Sequence, residues 1–258
     1  MKKEKWRVWD DTPRYGDVFF ERATGKMPEM ESSKAIARRI SKLACENDSI
    51  LDVGCGGGHY LVSLDREMKT HFSYTGIDAT EYYIERAKQA FKAAPEGGKR
   101  GATDFQVGDI FNINQSDNSF DIVLCANVLL HLPSVGVPLK ELVRVTGKYL
   151  LVRTMVGAES FRIMHVLKPE KYEDNGEPEH FSYFNIYSES YIREYIGSLP
   201  GVKSVMIEKD TDFNPENIGA AEYIKAGKEV PVNVTRIVEG MQVNNYIIEP
   251  WCFILVEK

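Results

Sequence analysis

Residues 50–60 read ILDVGCGGGHY, in which an apolar run and an acid lead into four glycines within five positions. A short apolar run bounded by glycines is typical of a strand that is buried on both faces. Glycine permits positive φ angles and lets a ligand approach backbone that a Cβ would block. The stretch therefore predicts a strand, a glycine-rich turn and a following helix, with a ligand site at the turn.

Short apolar runs and helical patterns alternate through the first 155 residues. Five strands are predicted there, at 49–54, 72–77, 103–107, 120–125 and 149–154. Among the helices between them, Thr80 is expected to cap the one after the second strand, and Ser32 or Ser33 the one before the first. Alternation of this kind predicts parallel βαβ units, and hence an α/β fold.

The pattern loosens after residue 155. A helix is predicted over 188–201, and two more strands at 202–208 and 251–257. The connections 156–187 and 209–247 are long for a compact domain, and we interpret them as insertions that form lids and select a substrate.

Composition restricts the partners and the compartment. The net charge of the 258 residues is -6 and the pI is near 5.5, which does not favour nucleic acid as a partner. We find no apolar run of membrane-spanning length and no signal-peptide pattern. The four cysteines form no C-x-x-C pair, so we expect buried thiols, no bound metal and a cytoplasmic location. No oligomeric state is predicted.

Three ligands are known to occupy a glycine-rich turn between a strand and a helix: a nicotinamide dinucleotide, a nucleoside triphosphate and S-adenosylmethionine. The dinucleotide pattern G-x-G-x-x-G fails because His59 stands where the third glycine would be. The nucleoside triphosphate loop fails because no Lys-Ser or Lys-Thr pair closes the turn. Both phosphate ligands are therefore disfavoured.

What remains is Asp52 followed by Gly54, Gly56 and Gly58. This D-x-G-x-G-x-G at the end of a first strand resembles motif I of the class I S-adenosylmethionine-dependent methyltransferases. The resemblance implies that the glycines bring backbone against the amino-acid and sulfonium part of the cofactor. Asp52 either contacts the ligand or hydrogen-bonds the amides of its own loop, and both roles stay open.

Three further motifs of the same family follow in order. Asp78 ends the second strand, where the family's acid binds the ribose hydroxyls. Asp109 and Ile110 follow the third strand, where the family's acid takes the adenine amino group and the next amide meets the ring. Asn127 follows the fourth strand, near the methionine moiety. The alternative for Asp78 and Asp109 is that they cap the next helical turn.

The resemblance covers about residues 49–154 and implies a Rossmann-like fold. The expected sheet has seven mostly parallel strands with an antiparallel last strand, helices on both faces, and lid insertions after strand five and between the last two strands. We expect a single domain over 1–258, with a cofactor-binding core at 49–155. The flap at 1–30 either covers the cofactor, with Tyr15 as one contact, or simply packs on the sheet.

The implied activity is methyl transfer to an oxygen or nitrogen atom of a small molecule. The chain lacks the N-P-P-Y, Pro-Cys and paired-glutamate motifs of methyltransferases that act on nucleic-acid bases or on arginine. A hydroxyl acceptor would need a general base, for which His131 leads and His165 and His180 follow. His131 is otherwise a core histidine.

Three other functions stay open. The first is a non-catalytic, regulatory S-adenosylmethionine-binding module. The second is a methyltransferase that acts on RNA or protein, and the third an NAD-dependent oxidoreductase.

Overall fold

A central mixed sheet organises the computed structural model, which describes residues 4–92, 98–212, 236–238, 241–244 and 247–258. All seven predicted strands are confirmed. They are β1 (Asp48–Val53), β2 (Phe72–Asp78), β3 (Arg100–Val107), β4 (Phe120–Ala126), β5 (Thr146–Gly157), β9 (Ser204–Lys209) and β13 (Trp251–Glu257). Their order across the sheet is β3-β2-β1-β4-β5-β13-β9.

Strand direction follows the prediction of a mostly parallel sheet. Strands β1 to β5 are parallel to one another. Strand β13 lies antiparallel between β5 and β9, as predicted for the last strand. The strand order reverses between β1 and β4, and in such sheets the ligand crevice lies beyond the carboxyl ends of the strands at this point.

Helices cover both faces of the sheet. They are α1 (Pro13–Ala23), α2 (Glu31–Leu43), α3 (His59–Glu67), α4 (Glu81–Ala90), α5 (Gly136–Val145) and α6 (Glu189–Gly197), with 3₁₀ turns at Val8–Asp11 and Leu129–His131. Ile50 packs in an apolar cluster with α2, α3 and α4, whereas its neighbour Leu51 packs with α5 and α6. Successive strand residues point to opposite faces, so one apolar strand serves two cores.

The predicted insertion at 156–187 contains short strands. They are β6 (Met164–Val166), β7 (Phe181–Tyr183) and β8 (Tyr187–Ser188). Strands β6 and β7 form an antiparallel pair, and β8 pairs with the end of β5. Most of the predicted insertion at 209–247 lies outside the described residues. Its described part includes β10 (Arg236–Val238) and β11 (Met241–Asn244). Strand β11 pairs with β10 on one side and with β12 (Ile247–Glu249) on the other, in a small antiparallel sheet.

Two local predictions need correction, and a third is confirmed. Helix α2 begins at Glu31, so Ser32 and Ser33 lie inside its first turn and neither is the N-cap. Thr80 is the N-cap residue of α4, as predicted, although its hydroxyl makes no cap hydrogen bond. Cys45 is exposed, whereas the other three cysteines are buried. Within the described ranges, no helix has the length and apolar character that a membrane span requires.

Candidate active site

The glycine turn forms part of a cavity of about 550 Å³ at the carboxyl ends of the central strands. Gly54, Gly56 and Gly58 have φ angles of 80°, 55° and 75°, a region that favours glycine. Gly54 and Gly56 line the cavity. Gly58 is not among the described lining residues, and a Cβ there would lie 2.8 Å from the Phe105 ring. Two of the three glycines therefore face the ligand space, while Gly58 permits close packing.

Asp52 is buried behind this turn and is also not among the described residues that line the cavity. Its Oδ2 accepts a hydrogen bond of 2.7 Å from the Tyr74 hydroxyl. Burial raises the pKa of Asp52 to about 7, although the Tyr74 hydrogen bond opposes this shift. The sequence analysis did not foresee this buried pair.

Asp78 connects the glycine turn to the start of α4. One carboxylate oxygen accepts from the Gly56 amide and the other from the Thr80 amide, both at 2.9 Å. Burial raises the pKa of Asp78, and these amide hydrogen bonds counter the shift. Asp78 also lines the cavity, and an ionised carboxylate has lone pairs for further donors. Capping and ligand binding are therefore compatible roles.

The next wall of the cavity follows β3. Asp109 and Ile110 both line it, as the sequence analysis expects of an adenine site. Asp109 is exposed and accepts a 2.9 Å hydrogen bond from the Phe111 amide, whereas Ile110 is buried. Phe111 also lines the cavity and meets the Trp6 ring edge-on at 6.2 Å. Flat apolar surfaces therefore adjoin one exposed carboxylate here.

Asn127 lines the cavity beyond β4 with a φ angle of 60°. Its amide nitrogen donates to the Tyr60 hydroxyl at 2.9 Å, and its amide oxygen accepts from Arg153 at 2.6 Å. Tyr60 lines the cavity as well. The predicted ligand residue is therefore held from two sides.

His131 lines the cavity from the 3₁₀ turn after β4. Its Nδ1 lies 3.0 Å from the carbonyl oxygen of Tyr183. Because a carbonyl only accepts, Nδ1 carries the proton, and Nε2 of the neutral ring is free to accept one. Burial lowers the pKa of His131, and the hydrogen bond to Tyr183 opposes this shift. The ring is therefore neutral near pH 7 and suited to act as a base.

Aromatic contacts fix the plane of the His131 ring. Trp9 meets it edge-on at 4.9 Å and Phe184 at 6.0 Å. The other two candidate bases, His165 and His180, are exposed, and neither is among the described lining residues. Of the three histidines proposed as bases, the structure brings only His131 to the cavity.

The flap supplies a whole wall of the cavity. Its lining residues are Glu4, Trp6, Arg7, Trp9, Asp10, Tyr15, Phe19 and Met30. Tyr15 is among them, as the cofactor-covering interpretation expects. The tryptophans and Phe19 were not predicted, because their spacing does not indicate which residues they meet.

Hydrogen bonds hold the flap onto the start of α4. Arg7 donates to the Ala79 carbonyl at 2.9 Å, and the Thr80 hydroxyl donates to Asp10 at 3.0 Å. The Tyr83 hydroxyl lies 3.2 Å from the carbonyl oxygens of both Trp9 and Thr12. The flap is therefore attached next to Asp78.

Phe19 packs directly on the glycine turn. A Cβ at Gly56 would lie 2.9 Å from its ring, so glycine is needed there for the flap as well as for φ. His59, which broke the dinucleotide pattern, stacks on Phe19 with ring centres 4.5 Å apart. Burial lowers the pKa of His59 to about 3, so it contributes a neutral aromatic surface.

The insertion at 156–187 occupies a different place from the one expected. None of its residues, all of which are described, lines the cavity. It supports the site from behind, through Tyr183 and Phe184 against His131 and through Asn185, which donates to the Leu132 carbonyl at 2.8 Å. The flap, and not this insertion, forms the wall opposite the glycine turn.

The described residues fit S-adenosylmethionine. The cavity volume is within the range of small-molecule sites. Turn backbone at Gly54 and Gly56 that lines the cavity adjoins a half-buried carboxylate, Asp78, that suits a diol. Aromatic and apolar side chains near Asp109 suit a purine.

Comparison with known proteins supports the same assignment. A family model described as "Methyltransferase domain" matches residues 45–191. An uncharacterised methyltransferase of Schizosaccharomyces pombe is 29% identical over 136 residues, which are 51% of this chain and 47% of that protein. A malonyl-[acyl-carrier protein] O-methyltransferase of Paenibacillus is 27% identical over 187 residues, 70% of this chain and 64% of that one. The chain thus spans less than two thirds of these curated relatives.

Solved structures share the fold over most of the chain. An S-adenosylmethionine-dependent methyltransferase of Methanosarcina mazei superposes with a TM-score of 0.54 at 18% identity, covering 85% of this chain and 96% of that one. A second, from Thermotoga maritima, superposes with a TM-score of 0.53 at 15% identity, covering 98% and 99%. With the family match over residues 45–191, this chain belongs to the S-adenosylmethionine-dependent methyltransferases with the class I Rossmann-like fold.

Proposed function

We propose that the protein transfers the methyl group of S-adenosylmethionine to an oxygen or nitrogen atom of a small-molecule acceptor. One observation carries the proposal. A single cavity combines the glycine turn, Asp78 and Asp109 with the neutral base His131 and the aromatic wall of the flap. Cofactor-binding groups and a proton acceptor thus adjoin the same enclosed space.

The cofactor contacts follow from the cavity wall. The backbone at Gly54 and Gly56 meets the methionine part, and Asp78 accepts hydrogen bonds from the ribose hydroxyls. Asp109 and the Ile110 amide hold the adenine. Bound there, the sulfonium supplies an activated methyl group whose leaving group is neutral. The main work of the protein is therefore to align the acceptor and to exclude water.

His131 removes the proton from a hydroxyl acceptor. Its Nδ1 is occupied by the Tyr183 carbonyl, so the proton goes to Nε2. General bases of this kind contribute about 10²- to 10⁴-fold to a rate. The O-methyltransferase of Paenibacillus, by its name, methylates an oxygen, which is in keeping with a hydroxyl or carboxyl acceptor.

The lining of the cavity supports an apolar acceptor. The lining includes Trp9, which meets both His131 and Tyr15 edge-on, and Leu132 and Pro133, which follow His131 in the chain. Aromatic walls of this kind suit flat or branched apolar bodies with one polar atom at the reacting end. The net charge of -6 gives no support for RNA as the acceptor.

Calorimetry with S-adenosylhomocysteine tests the cofactor site. We expect the parent protein to bind and Asp78→Ala to bind at least tenfold more weakly, because a hydrogen bond to a charged group is worth about 1.5–3 kcal/mol. Asp104→Ala is the matched control, since Asp104 is an exposed acid of β3 that is not among the described lining residues. Absence of binding, or equal binding by Asp78→Ala and the parent, would refute the site.

A second experiment tests the acceptor class. The protein is incubated with S-adenosylmethionine carrying a labelled methyl group and with metabolite, RNA or protein fractions. Label in a small molecule is the expected result. Label in RNA or protein alone would overturn the acceptor class, and binding without any transfer would favour the non-catalytic module.

A further inference from the structure

An arginine is buried in the middle of the central sheet. The side chain of Arg153, in β5, is 2% exposed, and that of its partner Asp210, just after β9, is 0% exposed. Arg153 Nε donates to Asp210 at 2.9 Å, and the guanidinium lies 4.2 Å from the centre of the Trp251 ring. Removing two charges from water is expensive, and buried ion pairs often add no net stability. Stability alone therefore does not explain this pair.

Within the described part of the chain, the pair is also incompletely hydrogen-bonded. Arg153 Nη2 and Asp210 Oδ1 are both buried, and neither has a partner among the described residues. Buried polar groups are normally satisfied, and a partly satisfied pair is less favourable than an apolar substitute of the same shape. A role for the pair therefore lies in what the guanidinium holds.

The guanidinium holds Asn127. Arg153 Nη1 lies 2.6 Å from the amide oxygen, and because a guanidinium only donates, the orientation of the amide is fixed. The amide nitrogen must then donate to the Tyr60 oxygen, which lies 2.9 Å away. The Tyr60 hydroxyl also lies 3.1 Å from Ser32 Oγ. The polarity of the hydrogen bonds from Arg153 through Asn127 to Tyr60 is therefore set at Arg153.

We infer that Arg153 is a positioning residue for the cofactor site, which orients the Asn127 amide so that its N–H groups face Tyr60 and the cavity. One N–H is taken by Tyr60, and the second is available to a ligand. Asp210 keeps the guanidinium in place. The inference rests on the proposed function, because it takes Asn127 as a cofactor contact. Without Arg153, the amide can turn by 180° and present its oxygen instead.

The test compares two buried arginines of the same sheet. Arg100, in β3, is 7% exposed, pairs with Asp65 at 3.1 Å and stacks on Phe91, but it is not tied to Asn127. Arg153→Met and Arg100→Met are each measured by urea unfolding and by calorimetry with S-adenosylhomocysteine. We expect both variants to be less stable and only Arg153→Met to lose affinity, by about tenfold. Equal affinity in the two variants would overturn the inference.

A double-mutant cycle separates orientation from general loosening. In the Asn127→Ala background, Arg153→Met is expected to weaken binding by less than twofold more, because no amide remains to be oriented. If the fold-losses of affinity caused by the two single substitutions multiply in the double variant, the two residues act independently and the inference is overturned. Arg153→Lys provides a second variant if Arg153→Met does not fold. Lysine keeps a charge beside Asp210 but lacks the fork that reaches both partners, so parent-like affinity in Arg153→Lys also counts against the inference.

The same titrations distinguish this inference from the proposed function. A parent protein that does not bind S-adenosylhomocysteine refutes the proposed function, and the inference with it. A parent that binds while Asn127→Ala binds equally well refutes only the assigned contact and the positioning role.

Discussion

Replacing Asp52 by asparagine is expected to change how the stability of the protein depends on pH. Asp52 is buried behind the glycine turn, where burial raises its pKa to about 7. The pKa in the unfolded chain is about 3.9. Because the folded-state pKa is the higher one, folding favours the protonated acid, and ionisation of Asp52 opposes folding.

The magnitude follows from the two pKa values. Below about pH 4, Asp52 is protonated in both the folded and the unfolded state, and its contribution to the free energy of unfolding is fully present. As the pH rises through 7 that contribution is lost, and the loss is about 1.4 kcal/mol for each of roughly three pKa units, or about 4 kcal/mol in all. An asparagine side chain does not titrate, so the stability of Asp52→Asn relative to the parent should grow from about pH 4 to about pH 7 and then level off.

Urea unfolding at half-unit steps from about pH 4.5 to 8.5, without ligand, measures this difference. The asparagine variant should gain stability relative to the parent across that window. Tyr74→Phe is a second arm, because it removes the hydrogen bond that lowers the pKa of Asp52 and should extend the pH-dependent loss to higher pH. Parallel stability curves for the parent and the asparagine variant would show that the acid does not titrate as described.

Other variants test the turn, the base and the flap. In Gly54→Ala the new Cβ would overlap the Val128 side chain, and alanine would be forced to a φ near 80°. Gly25→Ala is the control, because Gly25 has a φ of 74° but open space around it. Thermal unfolding should show a loss of stability in Gly54→Ala well above the ~1–2 kcal/mol expected for Gly25→Ala. His131→Gln should lower kcat about 10²-fold or more, while the affinity for S-adenosylhomocysteine stays within about twofold. The parent should lose activity at acid pH as the His131 ring is protonated, and the variant should not show this loss. An unchanged kcat would show that His131 does not take part in the reaction. Asp10→Ala should speed S-adenosylhomocysteine dissociation several-fold in stopped-flow measurements, and an unchanged rate would contradict a role of this hydrogen bond in retention.

The fold was predictable because its signals are local. Each core strand is a short apolar run, and the turn after β1 carries its own glycines and acids. Residues that follow neighbouring parallel strands meet at one edge of the sheet, so Asp78 and Asp109 could be placed in the site without knowledge of any contact. Their roles toward a ligand stay predictions.

The features of the site that could not be predicted depend on contacts between residues that are far apart in the sequence. Trp9 meets His131 across 122 positions, and Arg153 meets Asp210 across 57, as their numbers show. Periodicity indicates which residues are buried, but not which partners they find. The run YLLVRT does not indicate which acid pairs with its arginine. The length of 156–187 suggested a lid, but the flap forms that wall of the cavity.

The attachment of the flap also bears on the rate at which a ligand leaves the cavity. Hydrogen bonds at Ala79, Thr80 and Tyr83 tie this wall to the floor of the cavity. At a net value of about 1 kcal/mol each, they favour the closed form by roughly 3 kcal/mol, which leaves on the order of one molecule in a hundred open. A ligand held behind the flap would then leave through this minor population, so its dissociation would be slowed by about the same factor.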